Sequence, residues 1–179
     1  TAKTGVSDFM KPGDISSLSQ YDEVAFRAQF EGDIPERSEL YWRGLVFSKL
    51  EQGRWSNLSY FEVPPRERKR TEVETSGEPV SYSIIMEPTQ QNWLFALRHA
   101  KPDRPGILST PDFRLYSMVV IEDDFRYEVE SWPEAQLEPQ LSSWRREVEL
   151  RLPEGDNPMT REWATVRRAG AASDQAFID

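Results

Sequence analysis

Residues 40–55 read Leu40-Tyr41-Trp42-Arg43-Gly44-Leu45-Val46-Phe47-Ser48-Lys49-Leu50-Glu51-Gln52-Gly53-Arg54-Trp55. Aromatic and β-branched residues fill the first run, Gly53 supplies a turn, and Arg54-Trp55 begins the return. Two such runs around a glycine-containing turn make a β-hairpin. Gly44 inside the first run predicts a bulge or a close backbone approach. Trp42 and Trp55 flank the stretch as anchors for a core or a docking surface rather than as reacting groups.

Upstream, Val24, Phe26, Ala28 and Phe30 alternate with Ala25, Arg27, Gln29 and Glu31. That period of two predicts a strand with one buried face, ended by Gly32-Asp33-Ile34-Pro35. Residues 1–20 are polar and read as a surface lead-in, with Asp14 able to cap one helical turn. Downstream, Pro64-Pro65 and Gly77-Glu78-Pro79 bracket a loop or an exposed edge. Val80, Tyr82, Ile84 and Met86 form a further strand, and Trp93 to Leu97 another. Lys101 to Pro111 holds three prolines and reads as a long turn. Phe113 to Ile121 is apolar on both faces toward its end, which predicts a central strand. Glu122-Asp123-Asp124 turns that strand into a hairpin with Phe125, Tyr127 and Val129. Val148, Leu150 and Leu152 read as a last short strand.

The texture then becomes helical. Asn157-Pro158 is a cap followed by a first helical residue, Trp163 and Val166 follow at helical spacing, and Gly170 closes the run. Ser173-Asp174 signals another helix start near the end of the chain. Strands come first and helices last, with no βαβ alternation and no repeat period. The expected fold is mainly β: a two-layer antiparallel β-sandwich of about seven strands over residues 21–153. One or two helices in residues 154–179 would begin a following domain.

Composition bounds the function. The chain has 179 residues, enough to bury a core without staples, and no cysteine. A thiolate nucleophile and a Cys-bound zinc are therefore excluded within these residues. The net charge of −9 opposes a polyanion, so no nucleic-acid partner is expected. Mean hydropathy is −0.69, yet six Trp, six Tyr and nine Phe supply core material. No apolar run approaches the ~20 residues that span a bilayer. Thr1 is not a start methionine, so the chain reads as a piece of something longer or a mature product.

Each candidate site has a plainer explanation. His99 sits between Arg98 and Lys101 without an orienting partner, so it reads as a surface histidine rather than a base. Glu122, Asp123 and Asp124 lack the alternating ligand spacing of a calcium loop and read as a solvated turn, so no metal is expected. Arg66, Arg68, Lys69 and Arg70 are balanced by four glutamates within residues 62–74, the pattern of a mixed-charge edge. Trp42, Trp55, Trp93 and Tyr60 would make a stacking platform if exposed, but aromatics on strands are more often core. No nucleophile elbow, phosphate loop or dinucleotide fingerprint occurs, and no cofactor is expected.

Put together, the phrases form an ordered series: Pro12-Gly13-Asp14-Ile15, Leu18-Ser19-Gln20, Asp22 to Arg27, Tyr41-Trp42-Arg43-Gly44 and Gly53-Arg54-Trp55. Tyr82 to Thr89, Trp93 to Leu97, Phe125-Arg126-Tyr127 and Leu150-Arg151-Leu152-Pro153 complete it. This series resembles TgpA-type transglutaminase-like membrane proteins of bacteria over nearly the whole chain. The resemblance implies a segment that follows membrane helices, lies in the periplasm, and precedes a papain-like transglutaminase core with a Cys-His-Asp triad. That core transfers the γ-acyl group of protein glutamine to an amine. Residues 1–20 would then be a lead-in after a membrane segment, 21–153 an accessory domain, and 154–179 the truncated helical start of the core. The implied partners are the core and membrane helices of the same polypeptide, with a periplasmic protein or peptide as possible substrate. No residue here matches the catalytic thiol or the triad histidine. Trp42, Arg43, Trp55 and Trp93 are structural or docking anchors. The rival reading is a free-standing carbohydrate- or peptide-binding module.

Overall fold

The computed structural model describes residues 9–11, 24–59, 61–69, 75–135 and 140–178. Twelve short strands are present among them. They are β1 (Phe9–Met10), β2 (Phe26–Phe30), β3 (Trp42–Arg43), β4 (Lys49–Glu51), β5 (Arg54–Ser56) and β6 (Val80–Met86). The rest are β7 (Trp93–Leu94), β8 (Ala96–Leu97), β9 (Ala100–Pro102), β10 (Ile107–Ser109), β11 (Leu115–Ser117) and β12 (Phe125–Ser131). Three helices follow: α1 (Ser143–Glu149), α2 (Pro158–Gly170) and α3 (Asp174–Ile178). The possible Asp14 helix turn, Tyr60 and Arg70 lie outside the described residues.

The largest sheet is antiparallel in the order β2-β6-β12-β9. Its register aligns Phe26, Met86 and Phe125 in one row, Ala28, Ile84 and Tyr127 in a second, and Phe30, Tyr82 and Val129 in a third. Directly opposed residues share a face, so the rows build one apolar surface. Along β12, Tyr127, Val129 and Ser131 are buried while Arg126, Glu128 and Glu130 are exposed, as a one-faced strand requires. Leu94, Leu97, Ile107, Leu115 and Ile121 close over that surface in the same buried cluster. Each such side chain contributes about 1.5–3 kcal/mol on burial.

Two tyrosines stitch the layers. Tyr82 Oη accepts from Leu97 N at 2.8 Å and bonds Ser131 Oγ at 2.8 Å. Tyr127 Oη donates to Phe95 O at 2.7 Å. Burial pushes the Tyr82 phenol up to about 12 and the Tyr127 phenol well above its ordinary value. Both stay neutral donors at any physiological pH.

The mainly antiparallel β architecture is as expected, and several elements differ in detail. The run Trp93 to Leu97 is not one strand. It switches partners at Phe95, with β7 on β11 and β8 on β3, and the Phe95 carbonyl goes to Tyr127 instead of a ladder. The expected long turn from Lys101 to Pro111 contains the end of β9 and all of β10. The expected central strand Phe113 to Ile121 is regular only over β11. Phe113 has φ 58°, and Met118, Val119 and Val120 are exposed. Accordingly β12 does not form a hairpin with that segment; it pairs with β6 and β9. The last expected strand, through Val148, is instead α1. Ser142 Oγ caps it by accepting from Arg145 N at 3.1 Å, and the buried side chains Arg145 and Val148 fall at helical spacing.

Gly44 makes the close approach that its position suggested. A Cβ there would lie 2.8 Å from Phe95 Cε1. The Phe95 ring is itself wedged between Phe26, at 4.6 Å, and Trp93, at 5.1 Å. Gly44→Ala is therefore expected to destabilise the domain by about 1–3 kcal/mol. A urea melt unchanged from the parent would show that Phe95 has room to move.

Helices α2 and α3 both form, with Asn157 in the left-handed region at the cap and Pro158 in the first turn. Asn157 makes no side-chain cap bond; Arg161 instead braces the turn by donating to Asp156 O and Pro153 O. Neither helix has a buried residue. Among the described residues no helix is long and apolar enough to cross a membrane.

Candidate functional site

The β4–β5 hairpin has the two-residue turn Gln52-Gly53, with φ 51° and 72°. Positive φ at both positions is the type I′ turn, whose twist matches paired strands. Gln is an uncommon choice there, since a side chain strains the left-handed region. Gln52→Asn is expected to raise stability by about 0.5 kcal/mol. Thermal unfolding measured on the two proteins checks this; a lower melting temperature would contradict it.

In such a hairpin the residues flanking the turn, Glu51 and Arg54, bond each other, and the next pair does not. Leu50 therefore aims its N–H and C=O away from β5. Sheet order is β1-β5-β4, so that outward side is the open edge among the described residues. A cleft of about 800 Å³ borders the hairpin and is lined from both of its strands, by the opposed pairs Lys49 and Ser56, and Glu51 and Arg54. Lys49, Leu50 and Arg54 line it from the hairpin, and Val148, Arg151 and Leu152 from the end of α1 and the segment beyond.

Polar bonds fix both walls. Ser48 Oγ donates to Glu149 Oε1 at 2.9 Å, and Arg145 Nε lies 3.5 Å from the same oxygen. Lys49 Nζ donates to Glu62 Oε1 at 2.9 Å and sits 3.3 Å from Glu51. Donating to these two carboxylates raises the Lys49 ammonium above its ordinary value, Glu62 first. Glu62 is held low by the backbone N–H of Ser59 and by Lys49. α1 also reaches the loop before β11, where Arg145 Nη2 donates to Pro111 O at 3.0 Å. Arg43 Nη2 donates to the neighbouring Asp112 O at 2.8 Å. Within the loop, Asp112 accepts Arg114 Nε on both carboxylate oxygens at 2.9 Å and the Thr110 hydroxyl on one of them.

The four anchor residues occupy different places. Trp42 packs among Phe26, Phe30 and Tyr82 with ring centroids at 4.9, 6.3 and 5.7 Å. Trp93 is buried against Phe95. Arg43 serves the loop, and burial pulls its guanidinium below the ordinary value, against the pull of Asp112. Trp55 is half-buried in the small sheet, between Met10 and Leu50. Trp42, Trp55 and Trp93 thus form no common stacking platform. Glu122, Asp123 and Asp124 are exposed, and no group of three metal-ligating side chains occurs among the described residues.

His99 corrects the surface expectation: it is 1% exposed, at a left-handed corner with φ 59° between β8 and β9. Burial depresses its imidazole below the ordinary value near 6.5, and Arg98 and Arg43 add to the effect. The folded state therefore binds its proton less well than the unfolded chain. Stability is expected to fall as pH drops below about 6.5 toward the lower folded value. His99→Asn, which tolerates the same corner, should flatten the melting temperature between pH 7.5 and 5.5 relative to the parent. An equal slope in both proteins would assign the effect to other groups.

A family model described as the TgpA N-terminal domain matches residues 1–138. The chain is 36% identical, over 177 residues, to a protein-glutamine gamma-glutamyltransferase of Pseudomonas aeruginosa. That alignment covers 98% of this chain and 26% of the relative, so the chain spans about a quarter of that relative's length. Two crystal structures of the periplasmic domain of TgpA from the same organism, one bound to ethylmercury, superpose with a TM-score of 0.86 at 35% identity. They cover 98% of this chain, which corresponds to 60% and 59% of theirs.

Proposed function

The chain belongs to the TgpA N-terminal domain family, and from that premise we propose that it is the periplasmic accessory domain of a membrane-anchored transglutaminase. Its own role is to space and orient a catalytic core carried elsewhere on the same polypeptide. The core transfers the γ-acyl group of protein glutamine to an amine through a thiol of a Cys-His-Asp triad. One observation carries this reading: a chain with no cysteine aligns over 98% of its length with a quarter of a relative named for that reaction. Acyl transfer through a thioester needs a thiolate, which these residues cannot supply.

The helical end supports the arrangement. Met159, Trp163 and Val166 recur at helical spacing along α2 and are 83%, 59% and 69% exposed. An amphipathic helix that leaves its apolar stripe in solvent is suited to an external partner. The core of the parent protein fills that role, with residues 154–179 as its first helical part. The test is incorporation of a fluorescent amine into casein. The 179-residue chain is expected to give none, and the complete parent protein to give incorporation that iodoacetamide abolishes. Incorporation by the isolated chain, or none by the complete protein, overturns the proposal.

A further inference from the structure

We infer that Gln52 is an acyl-donor site for the catalytic core of its own polypeptide, so that the parent enzyme joins a primary amine to this domain. The reaction rests on the transglutaminase reading, and the choice of residue rests on the structure. Gln52 stands at the tip of the β4–β5 hairpin with φ 51°, where asparagine or glycine fits better. Stability alone disfavours glutamine at this corner, and strain kept at an exposed tip signals a use for the side chain. The Gln52 carboxamide is exposed and makes no hydrogen bond among the described residues. The narrow turn carries it beyond both strands, as a group that must enter another site requires.

Its surroundings give the second observation. Gln52 lines the cleft of about 800 Å³ together with Arg151 to Glu154. That segment runs into α2, the first helical part of the core in the transglutaminase reading. The hairpin tip therefore lies beside the path by which the chain enters the core, and tethering of this kind raises the effective concentration of a donor into the millimolar range. The other described glutamines lack this combination. Gln29 lies within the paired strand β2, Gln91 is half-buried, and Gln140 and Gln175 have partners. Gln90 is exposed with φ 58° but lies outside the cleft. In the reaction, the core thiolate attacks the side-chain carbonyl carbon of Gln52; the C–N bond breaks, and the nitrogen takes a proton and leaves as ammonia. A primary amine then attacks the thioester and gives up its proton as the C–S bond breaks. The thiol is restored and a secondary amide remains on the hairpin, with no change of oxidation state.

The test treats the complete parent protein with a fluorescent primary amine, runs casein in a parallel reaction, and digests the products with trypsin. The peptide Leu50–Arg54 holds no other glutamine, so its mass assigns the site. Expected is amine on that peptide, blocked by iodoacetamide, at an initial rate per molecule that about tenfold dilution leaves unchanged. Gln52→Asn suits the turn, so the fold is kept, but it draws the carbonyl back by about 1 Å and should lower labelling of the peptide about a hundredfold. Labelled casein beside an unlabelled Leu50–Arg54 peptide overturns the inference and leaves the enzymatic reading in place. A preference for Gln90 over Gln52, or a rate that falls in proportion to dilution, does the same. Amine on neither casein nor the peptide removes the enzymatic reading, and self-labelling with it.

Discussion

Asp112→Ala is expected to destabilise the domain by about 3–5 kcal/mol, measured by urea unfolding. Asp112 and Arg114 are both buried, at 6% and 8% exposure. The carboxylate accepts Arg114 Nε on both oxygens and also takes the Thr110 hydroxyl. Removing it leaves a cation in the interior without its counterion, and desolvation is then uncompensated. The loop's outer supports survive the substitution, because Arg43 and Arg145 hold main-chain carbonyls at Asp112 and Pro111. The effect therefore reports the carboxylate and not collapse of the loop. Pairing the change with Arg114→Met should recover more than half of the loss, since a matched apolar replacement removes both charges. A double variant as damaged as the sum of the two singles would place the damage outside this pair.

Trp42→Ala should lower stability by about 3 kcal/mol. The indole is only half-buried, yet it meets Phe26 and Tyr82 edge to face and sits against Phe30. Such aromatic pairs add about 0.5–1.5 kcal/mol beyond the area buried. Trp42→Phe keeps a ring in place and should cost less than about 1.5 kcal/mol. Equilibrium unfolding of both variants distinguishes this from an exposed platform, for which the two substitutions would be nearly equal and small.

Much of the fold was legible because period-two patterning has a direct physical cause. In β12 one face is covered and the other wet, as the alternation of Tyr127, Val129 and Ser131 with Arg126, Glu128 and Glu130 records, and β2 and β6 keep the same period with half-buried residues on one face. The hairpin was legible from its glycine turn, but its expected first strand from Leu40 to Leu50 pairs across the turn only over Lys49–Glu51, while Trp42–Arg43 pairs with β8 instead. The apolar run Met118 to Val120 was misleading, since a loop can expose hydrophobic residues and only long-range pairing decides where the strand stops. α1 was hidden because Val148, Leu150 and Leu152 alternate as well as a strand does. The deciding signal was local: Ser142 as cap, with Arg145 and Glu149 four residues apart and on one side. His99 had no sequence signal for burial, because charged neighbours on either side do not reveal that the chain turns its corner inward. The cleft forms between residues 48–58 and 148–154, which lie far apart in the chain, so no window of sequence shows it.

The pairing of β2 with β6 has a consequence for how the polypeptide matures. Arg27 and Glu87, which meet at 2.6 Å across that pair, are 60 residues apart in the chain. Every residue of β2 must therefore wait, unpaired, until the whole hairpin region and the loop after it have emerged. High contact order of this kind slows folding and leaves an adhesive strand waiting in an unfinished chain. Threading across a membrane needs an unfolded polypeptide, so the same delay that endangers a cytosolic protein suits one that completes its sheet only on the far side.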